Sequence, residues 1–241
     1  MAFYLIGTGM NANSIGADAL EILKTCDRVY LENYTVNFPY PIEELEKSYD
    51  VKITELARSA VEDESILEEA KDKKVALLVY GDSLSATTHT QLMLEAKKQG
   101  IESKVFHNAS IMTTIAETGL QLYKFGKTAS MPNWAEHTNK PTSFMNYIQE
   151  NFSIKAHTLI LTDIGLEIKN AIEQLKESSE QTKIKVPEKI IAISSAGTEK
   201  QKIFYNTPDE IQNQDVQMPF CLIIPGELNH MEKEAIEELN E

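Results

Sequence analysis

Cysteine is scarce in this sequence, because Cys26 and Cys221 are the only two among 241 residues. Two cysteines far apart in the chain exclude a disulfide framework and a cysteine-based zinc site. The five histidines show no metal-ligand spacing, so the sequence predicts no metal site. We interpret the two thiols as buried apolar side chains in a reducing compartment, and we expect a cytoplasmic protein.

The sequence also lacks long apolar runs and an excess of basic charge. No stretch approaches the roughly 20 apolar residues that a membrane-spanning helix needs, so we expect no membrane segment. Lysine and arginine number 23 against 37 aspartate and glutamate residues, which gives a formal net charge of −14. This balance argues against direct binding of nucleic acid and favours basic partners.

Short apolar runs alternate with helical spacing along the chain, which predicts an α/β fold. Strands are predicted at residues 3–6, 28–31, 51–54, 75–80, 101–106, 158–162, 190–193, 202–205 and 220–224. Helices are predicted at residues 15–27, 66–70, 85–99, 110–117, 166–177 and 232–239. The polar segment 178–186 predicts a mobile connection. We place a domain boundary after the strand 101–106, which gives an N-terminal domain of residues 1–109 and a C-terminal domain of residues 110–241.

The first predicted strand ends in Gly7-Thr8-Gly9, a pattern that permits close approach of a ligand to the backbone. With Ala12 and Glu32 in addition, it partly fits the dinucleotide-binding fingerprint. Helical spacing resumes only at Ile15, whereas the fingerprint needs a helix that begins within the motif. A tight turn and a cofactor loop both remain open here.

A second polar segment, GDSLSATTH at residues 81–89, follows the apolar strand 75–80. Ligands of open α/β sheets bind at such carboxyl ends of strands, and Asp82 is able to accept hydrogen bonds from a ribose or an amine. The alternative is a helix cap by Ser83 or Ser85. A cap leaves the polar residues 87–89 unexplained.

A third segment, HNASIM at residues 107–112, also follows a strand, and Ser110 by itself favours a simple helix cap. P-loop and Gly-x-Ser-x-Gly patterns are absent from the sequence. The residues alone therefore predict an α/β ligand-binding protein without naming the ligand.

Five segments together are much more specific than any one of them: YLIGTGM, GDSLSATTH, HNASIM, TGLQLYKFGK and LIIPGELNHMEKEA. In this order they resemble the diphthine synthase family, of the tetrapyrrole methylase-like class, along nearly the whole chain. The resemblance implies two α/β domains of the tetrapyrrole methylase type, with the cofactor in the cleft between them, and a homodimer. It also implies that S-adenosylmethionine methylates the 3-amino-3-carboxypropyl histidine of translation elongation factor 2, which releases S-adenosylhomocysteine.

The family's cofactor contacts, carried over by motif, fall on eight residues at or near predicted strand ends. They are Met10, Asp82, Ser85, Ser110, Ile111, Thr162, Ala196 and Phe220. No catalytic residue is assigned, although Asp82 and Asp163 are candidates for the base that removes the amine proton. His89 either orients the loop after strand 75–80, approaches the substrate, or packs as a core histidine.

The sequence departs from the family pattern at Ser83, Gly165, Ser195 and Phe220, where proline, lysine, arginine and histidine are common. The segment from Gly165 to Pro187 is also shorter than usual. These departures concern cofactor affinity and contacts with an anionic substrate. Two alternatives therefore stay open: a tetrapyrrole or other small-molecule methyltransferase of the same fold, and a degenerate cofactor-binding protein. The KFGK segment and a predicted exposed loop around Trp134 favour a protein substrate.

Overall fold

The computed structural model describes residues 1–62 and 65–239. The chain divides into two compact units, Met1–Thr113 and Thr114–Glu241. Within the described residues each unit contains one five-stranded sheet accompanied by helices, which confirms the α/β prediction. No helix in the described part of the chain has the length and apolar character needed to cross a membrane.

Unit 1 is built on a parallel sheet. Its strands are β1 (Ala2–Gly7), β2 (Arg28–Glu32), β3 (Thr54–Leu56), β4 (Lys74–Val79) and β5 (Glu102–Phe106). Its helices are α1 (Ala17–Leu23), α2 (Ile42–Tyr49), α3 (Arg58–Glu62), α4 (Ser65–Ala70) and α5 (Thr90–Lys98), and α6 (Ile111–Thr114) lies at the boundary of the units. The strands are ordered β3-β2-β4-β1-β5, and every neighbouring pair is parallel.

Both faces of the sheet in unit 1 are buried. Tyr4 and Ile6 of β1 pack with residues of α1 and α2, whereas Phe3 and Leu5 pack with residues of α4 and α5. Burial on both faces explains why β1 and β4 are continuous apolar runs rather than alternating ones. The sheet thus places the loops after β1, β4 and β5 side by side at its carboxyl edge.

Unit 2 is built on a mixed sheet. Its strands are β6 (Ala129–Met131), β7 (Thr158–Thr162), β8 (Ile190–Ser194), β9 (Lys202–Asn206) and β10 (Phe220–Ile224). Its α-helices are α7 (Phe144–Ser153), α8 (Ile168–Thr182), α9 (Pro208–Ile211) and α10 (His230–Glu238). Short 3-10 helices cover Ile115–Thr118, Leu122–Lys124 and Trp134–Glu136.

The strand order in unit 2 is β6-β7-β10-β8-β9, with β6 and β7 parallel and every other neighbouring pair antiparallel. Ile148 of α7 and Ile172 of α8 share one apolar cluster with Ile160 of β7 and Leu222 of β10. These helices therefore cover one face of the sheet, and β10 lies at its centre.

Two predicted elements of unit 1 lie elsewhere in the structure. The predicted helix 85–99 begins only at Thr90, because Ala86 adopts a left-handed φ of 58° that interrupts a helix. The predicted strand 51–54 is wrong, since β3 covers Thr54–Leu56. Asp50 ends α2 in a left-handed conformation, and the chain becomes extended only after that turn.

In unit 2 the predicted mobile connection 178–186 is wrong as far as Thr182, where α8 ends. Ser178 is fully buried and continues the buried side of the helix after Ile172 and Leu175, so a small polar residue hid the helical pattern. Helices α2 and α7 lie in stretches for which the sequence pattern predicted no element.

Candidate functional site

The loops after β1 and β4 are directly hydrogen-bonded to each other. Gly9 N donates to Gly81 O at 3.0 Å, and Gly81 N donates to Gly9 O at 2.9 Å. A Cβ atom on Gly7 would lie 2.6 Å from Gly81 O, so a larger residue at position 7 would force the loops apart. The glycines of the first motif therefore permit a close pairing of two loops, and Met10 is buried beside that pairing.

The dinucleotide fingerprint is a coincidence of sequence. Helix α1 begins only at Ala17, beyond the glycine motif that would have to open it. Glu32, the residue expected to bind a ribose, is fully buried. Its carboxylate accepts hydrogen bonds from the hydroxyl of Thr35 at 2.6 Å and from the N–H of Thr35 at 3.3 Å.

Asp82 joins the loop after β4 to the loop after β5. Its Oδ1 accepts hydrogen bonds from Leu84 N at 3.0 Å and from the Ser85 hydroxyl at 3.1 Å. Its Oδ2 accepts from His107 Nδ1 at 2.8 Å and from Asn108 N at 3.1 Å. Burial raises the pKa of this carboxyl, but the four hydrogen bonds outweigh burial and hold the pKa below its usual range. An ionised carboxylate with four donors is poorly suited to act as a general base.

Asn108 connects the loop after β5 to the loop after β1. Its Nδ2 donates to Gly7 O at 3.1 Å and to Ser14 O at 2.8 Å. Ser110 and Ile111 follow after Ala109, and a Cβ atom on Gly81 would lie 3.4 Å from Ser110 Cβ. The three loops of unit 1 therefore form one connected site.

Five of the predicted cofactor residues come together in this site. They are Met10, Asp82, Ser85, Ser110 and Ile111. The sequence included His107 and Asn108 in the third polar segment without assigning them a role. It missed Tyr80, whose hydroxyl donates to Met10 O at 3.2 Å. The available signal was polarity directly after the predicted strands, but the order of those strands in the sheet was unknown.

The other three predicted residues lie close together in unit 2. The hydroxyl of Thr162, at the end of β7, donates to Phe220 O at 2.7 Å. Phe220 is opposite Ser194 in the pairing of β10 with β8, and Ser195 N donates to Pro219 O at 2.8 Å immediately before Ala196. The side chain of Phe220 belongs to the apolar core, so its carbonyl rather than its ring takes part in this arrangement.

Of two departures from the family pattern, at Gly165 and Ser83, the first has a local explanation. Gly165 has a φ of +71°, where a lysine would be strained. The carbonyl of Ser83 accepts hydrogen bonds from the Thr87 hydroxyl at 2.9 Å and from His89 Nδ1 at 3.1 Å. These bonds hold the loop at residue 83 through a backbone carbonyl that a proline would also have, so nothing in the structure explains the serine.

Residues 135–140 are exposed, as predicted for this loop, whereas Trp134 itself is half-buried. Its backbone N–H donates to Gln174 Oε1 at 2.9 Å, and its indole N–H donates to Pro141 O at 3.1 Å. Asp163 accepts a hydrogen bond from Asn133 N at 3.2 Å and remains exposed. This loop is therefore fixed to α8 and to the end of β7.

The segments TGLQLYKFGK and LIIPGELNHMEKEA meet at a buried ionic network in unit 2. Glu232 is fully buried and accepts hydrogen bonds from Lys124 Nζ, from Gln121 N at 3.0 Å and from His157 Nε2 at 3.1 Å. Gly226 N donates to His157 Nδ1 at 2.8 Å, so Nε2 carries the ring proton.

Burial lowers the pKa of His157. Burial raises the pKa of Glu232, but the bonds from Lys124 and its other donors prevail and lower that pKa to about 2. The second lysine of KFGK, Lys127, pairs with Glu150. Both lysines of KFGK thus have partners inside unit 2, which weakens the argument from this segment for a protein substrate.

Comparison with known proteins supports the family resemblance that the five sequence segments indicate. The family model described as tetrapyrrole (corrin/porphyrin) methylases matches residues 2–212. The human protein named diphthine methyl ester synthase is 35% identical over 266 residues, which cover 97% of this chain and 93% of the human chain. The Methanocaldococcus jannaschii protein named diphthine synthase is 35% identical over 253 residues, which cover 98% of both chains.

A crystal structure of a diphthine synthase matches this fold with a TM-score of 0.89 at 32% identity, and the match covers 99% of this chain and 96% of that chain. The two sheets are therefore those of the tetrapyrrole methylase fold, as the resemblance predicted. On this similarity of sequence and fold, the chain belongs to the diphthine synthase family of S-adenosylmethionine-dependent methyltransferases.

Proposed function

We propose that this enzyme methylates the amine of the 3-amino-3-carboxypropyl histidine on translation elongation factor 2. The observation that carries the proposal is similarity along nearly the full chain to proteins named diphthine synthase or diphthine methyl ester synthase. The net charge of −14 suits a basic surface around the modified histidine. We also propose that the enzyme acts in the cytoplasm, where translation supplies this substrate.

We propose that the eight strand-end residues contact the cofactor, with different roles. The Ser85 hydroxyl donates its proton in a hydrogen bond to Asp82 Oδ1. Its oxygen keeps lone pairs that can accept a hydrogen bond from a ribose or an amine. Asp82 accepts four hydrogen bonds within the protein, and we assign it the role of holding the loop. Gly7 and Gly81 let the loops after β1 and β4 approach each other closely, which places Met10 and Ser85 at the same edge of the sheet. The free lone pairs of Ser85 at this edge fit a cofactor that carries hydrogen-bond donors.

The reaction depends on positioning more than on acid–base catalysis. The bound cofactor supplies an electrophilic methyl group on a sulfonium, which loses its charge as the methyl leaves, so no strong acid is needed. The residues of unit 1 fix the loops against which the reacting groups are aligned for in-line displacement. Asp163 is an exposed carboxylate at the end of β7 and remains a candidate for accepting the amine proton.

The decisive test uses labelled S-adenosylmethionine and two forms of elongation factor 2. One form carries the 3-amino-3-carboxypropyl histidine, and the other carries unmodified histidine. We expect label only in the first form, because only that form contains the nucleophilic amine. No transfer to either form, with S-adenosylhomocysteine binding intact, would favour a small-molecule acceptor or a degenerate binding protein.

A second acceptor deserves a separate measurement, because the name of the human relative includes a methyl ester. The carboxylate of the same modified histidine would be the acceptor in that case. Mild alkali hydrolyses a methyl ester but leaves an N-methyl group in place. We expect part of the label to survive alkali, and complete release would move the acceptor to the carboxylate.

We further propose a homodimer, on the family resemblance alone. Multi-angle light scattering at micromolar concentration is expected to return twice the 27.1 kDa of one chain. A mass of one chain across the accessible concentration range would refute the dimer and leave the methyltransferase assignment unaffected.

A further inference from the structure

The segment 82–89, which we call the cofactor loop, is irregular and depends on side-chain bonds for its shape. Ala86 has a positive φ of 58°, and α5 begins only at Thr90. One backbone hydrogen bond within the loop joins Ser85 N to Asp82 O at 3.1 Å. Side chains must therefore supply much of the constraint that keeps Ser85 in place.

The carbonyl of Ser83 is the point at which two of these side chains meet. It accepts from the Thr87 hydroxyl at 2.9 Å and from His89 Nδ1 at 3.1 Å. A carbonyl oxygen has two lone pairs, and both are used here. Ser83 and His89 are buried, so each of these bonds is shielded from water.

Packing alone does not account for a histidine at position 89. Its Nδ1 faces an acceptor and must carry a proton, while the buried Nε2 has no hydrogen-bond partner among the described residues. An unsatisfied buried nitrogen is costly, and a leucine would fill similar space without that cost. What the histidine adds is the donor to Ser83.

The charge environment of His89 includes Glu32, which is buried at the end of the neighbouring strand β2. Burial raises the pKa of Glu32, and the hydrogen bonds that its carboxylate accepts from Thr35 oppose that rise. The ring therefore has an acidic group in its surroundings, and its Nδ1 donor is directed to the cofactor loop.

We propose that His89 is a positioning residue for cofactor binding, which acts by holding the Ser83 carbonyl and thereby the placement of Ser85. The role rests on the proposed cofactor site, since the loop is assigned to the cofactor there. His89 acts through the loop backbone and does not touch the reacting atoms.

The test separates the two ring nitrogens of His89. In His89→Asn the amide nitrogen stands near the position of Nδ1, whereas in His89→Gln it stands near the position of Nε2. Calorimetry with S-adenosylhomocysteine should give an affinity for the asparagine variant within about threefold of the unchanged protein, and about tenfold weaker binding for the glutamine variant and for His89→Leu. In the methyl-transfer assay, KM for S-adenosylmethionine should rise in the same order while kcat stays nearly constant.

Two further variants serve as controls. Thr90→Ala removes an exposed hydroxyl at the start of α5, outside the loop, and should leave affinity unchanged. Thr87→Val removes the other donor to Ser83. The double variant Thr87→Val/His89→Gln should lose affinity for S-adenosylhomocysteine by a factor that differs from the product of the two single-variant factors. The two effects are not independent, because both bonds end on one carbonyl.

Equal affinities of the asparagine, glutamine and leucine variants would overturn the role of His89. The role would also be overturned if the loss of affinity in each variant simply paralleled the fall in its melting temperature, whichever ring nitrogen is replaced. Absence of S-adenosylhomocysteine binding by the unchanged protein would overturn the cofactor site and this inference together, so the two failures are distinguishable.

Discussion

Asp82→Ala is expected to lower the free energy of unfolding by about 3 kcal/mol, because it removes a buried, hydrogen-bonded charge. The change leaves Leu84 N, Asn108 N and His107 without their acceptor and releases Ser85. Binding of S-adenosylhomocysteine should fall below detection at micromolar protein concentration, since two loops of the site lose their connection. Urea unfolding and calorimetry on the same preparation measure the two effects.

Asp27→Ala is the matched control for Asp82→Ala. Asp27 is also in unit 1 and accepts a hydrogen bond from a backbone N–H, that of Lys74, at 2.8 Å. It lies at the start of β2 and β4, away from the carboxyl edge of the sheet. This variant should bind S-adenosylhomocysteine as the unchanged protein does. A folded Asp82→Ala protein with unaltered stability and affinity would remove the role assigned to Asp82.

Glu232→Gln is expected to cost about 3 kcal/mol of stability at neutral pH, as the shift in the pKa of this carboxyl implies. The pKa falls from 4.5 to about 2 on folding. A carboxyl with a lowered pKa contributes stability that is complete above pH 4.5 and is lost as the pH falls towards 2. The variant should therefore show a flatter decline of stability in this window.

His157 acts in the same direction but at higher pH. Its pKa is lowered by burial from 6.5, so its contribution begins to fall as the pH drops below that value. Urea unfolding at a series of pH values should show this contribution of His157 in both Glu232→Gln and the unchanged protein. Glu150→Gln, at an exposed pair with Lys127, should leave the profile unaltered. Parallel profiles for all three proteins would show that Glu232 gains no stabilisation from its partners.

The strands were predictable where burial made them uniformly apolar. The predicted strands 158–162 and 220–224 coincide with β7 and β10, which are rich in buried aliphatic residues. Helix α2 was missed because its sequence IEELEKSY is mostly polar, and only Leu45 and Tyr49 mark its buried side. A short amphipathic helix offers too few turns for the helical period to stand out.

The candidate site was predictable in its motifs but not in its connections. Asp82 and Ser110 follow strands, and a single sequence shows that directly. The bonds that define the site join Asp82 to Asn108 and Asn108 to Gly7, residues far apart in the chain. They follow from the strand order β4-β1-β5, which local patterns do not contain. The same limit explains why the sequence pattern predicted a helix for residues 85–89. Their conformation is determined by the hydrogen bonds of Thr87 and His89 to the Ser83 carbonyl.

The central place of β10 affects the order in which the molecule is able to fold during synthesis. All strands of the first sheet are available once Phe106 has left the ribosome, so unit 1 can close early. The second sheet needs β10 between β7 and β8, and β10 is the last of its strands along the chain. Until Phe220–Ile224 leave the ribosome, the inner edges of β7 and β8 are unpaired, and such edges attract other strands. The nascent chain therefore passes through a stage in which one unit is folded and the other is open to aggregation and chaperone binding.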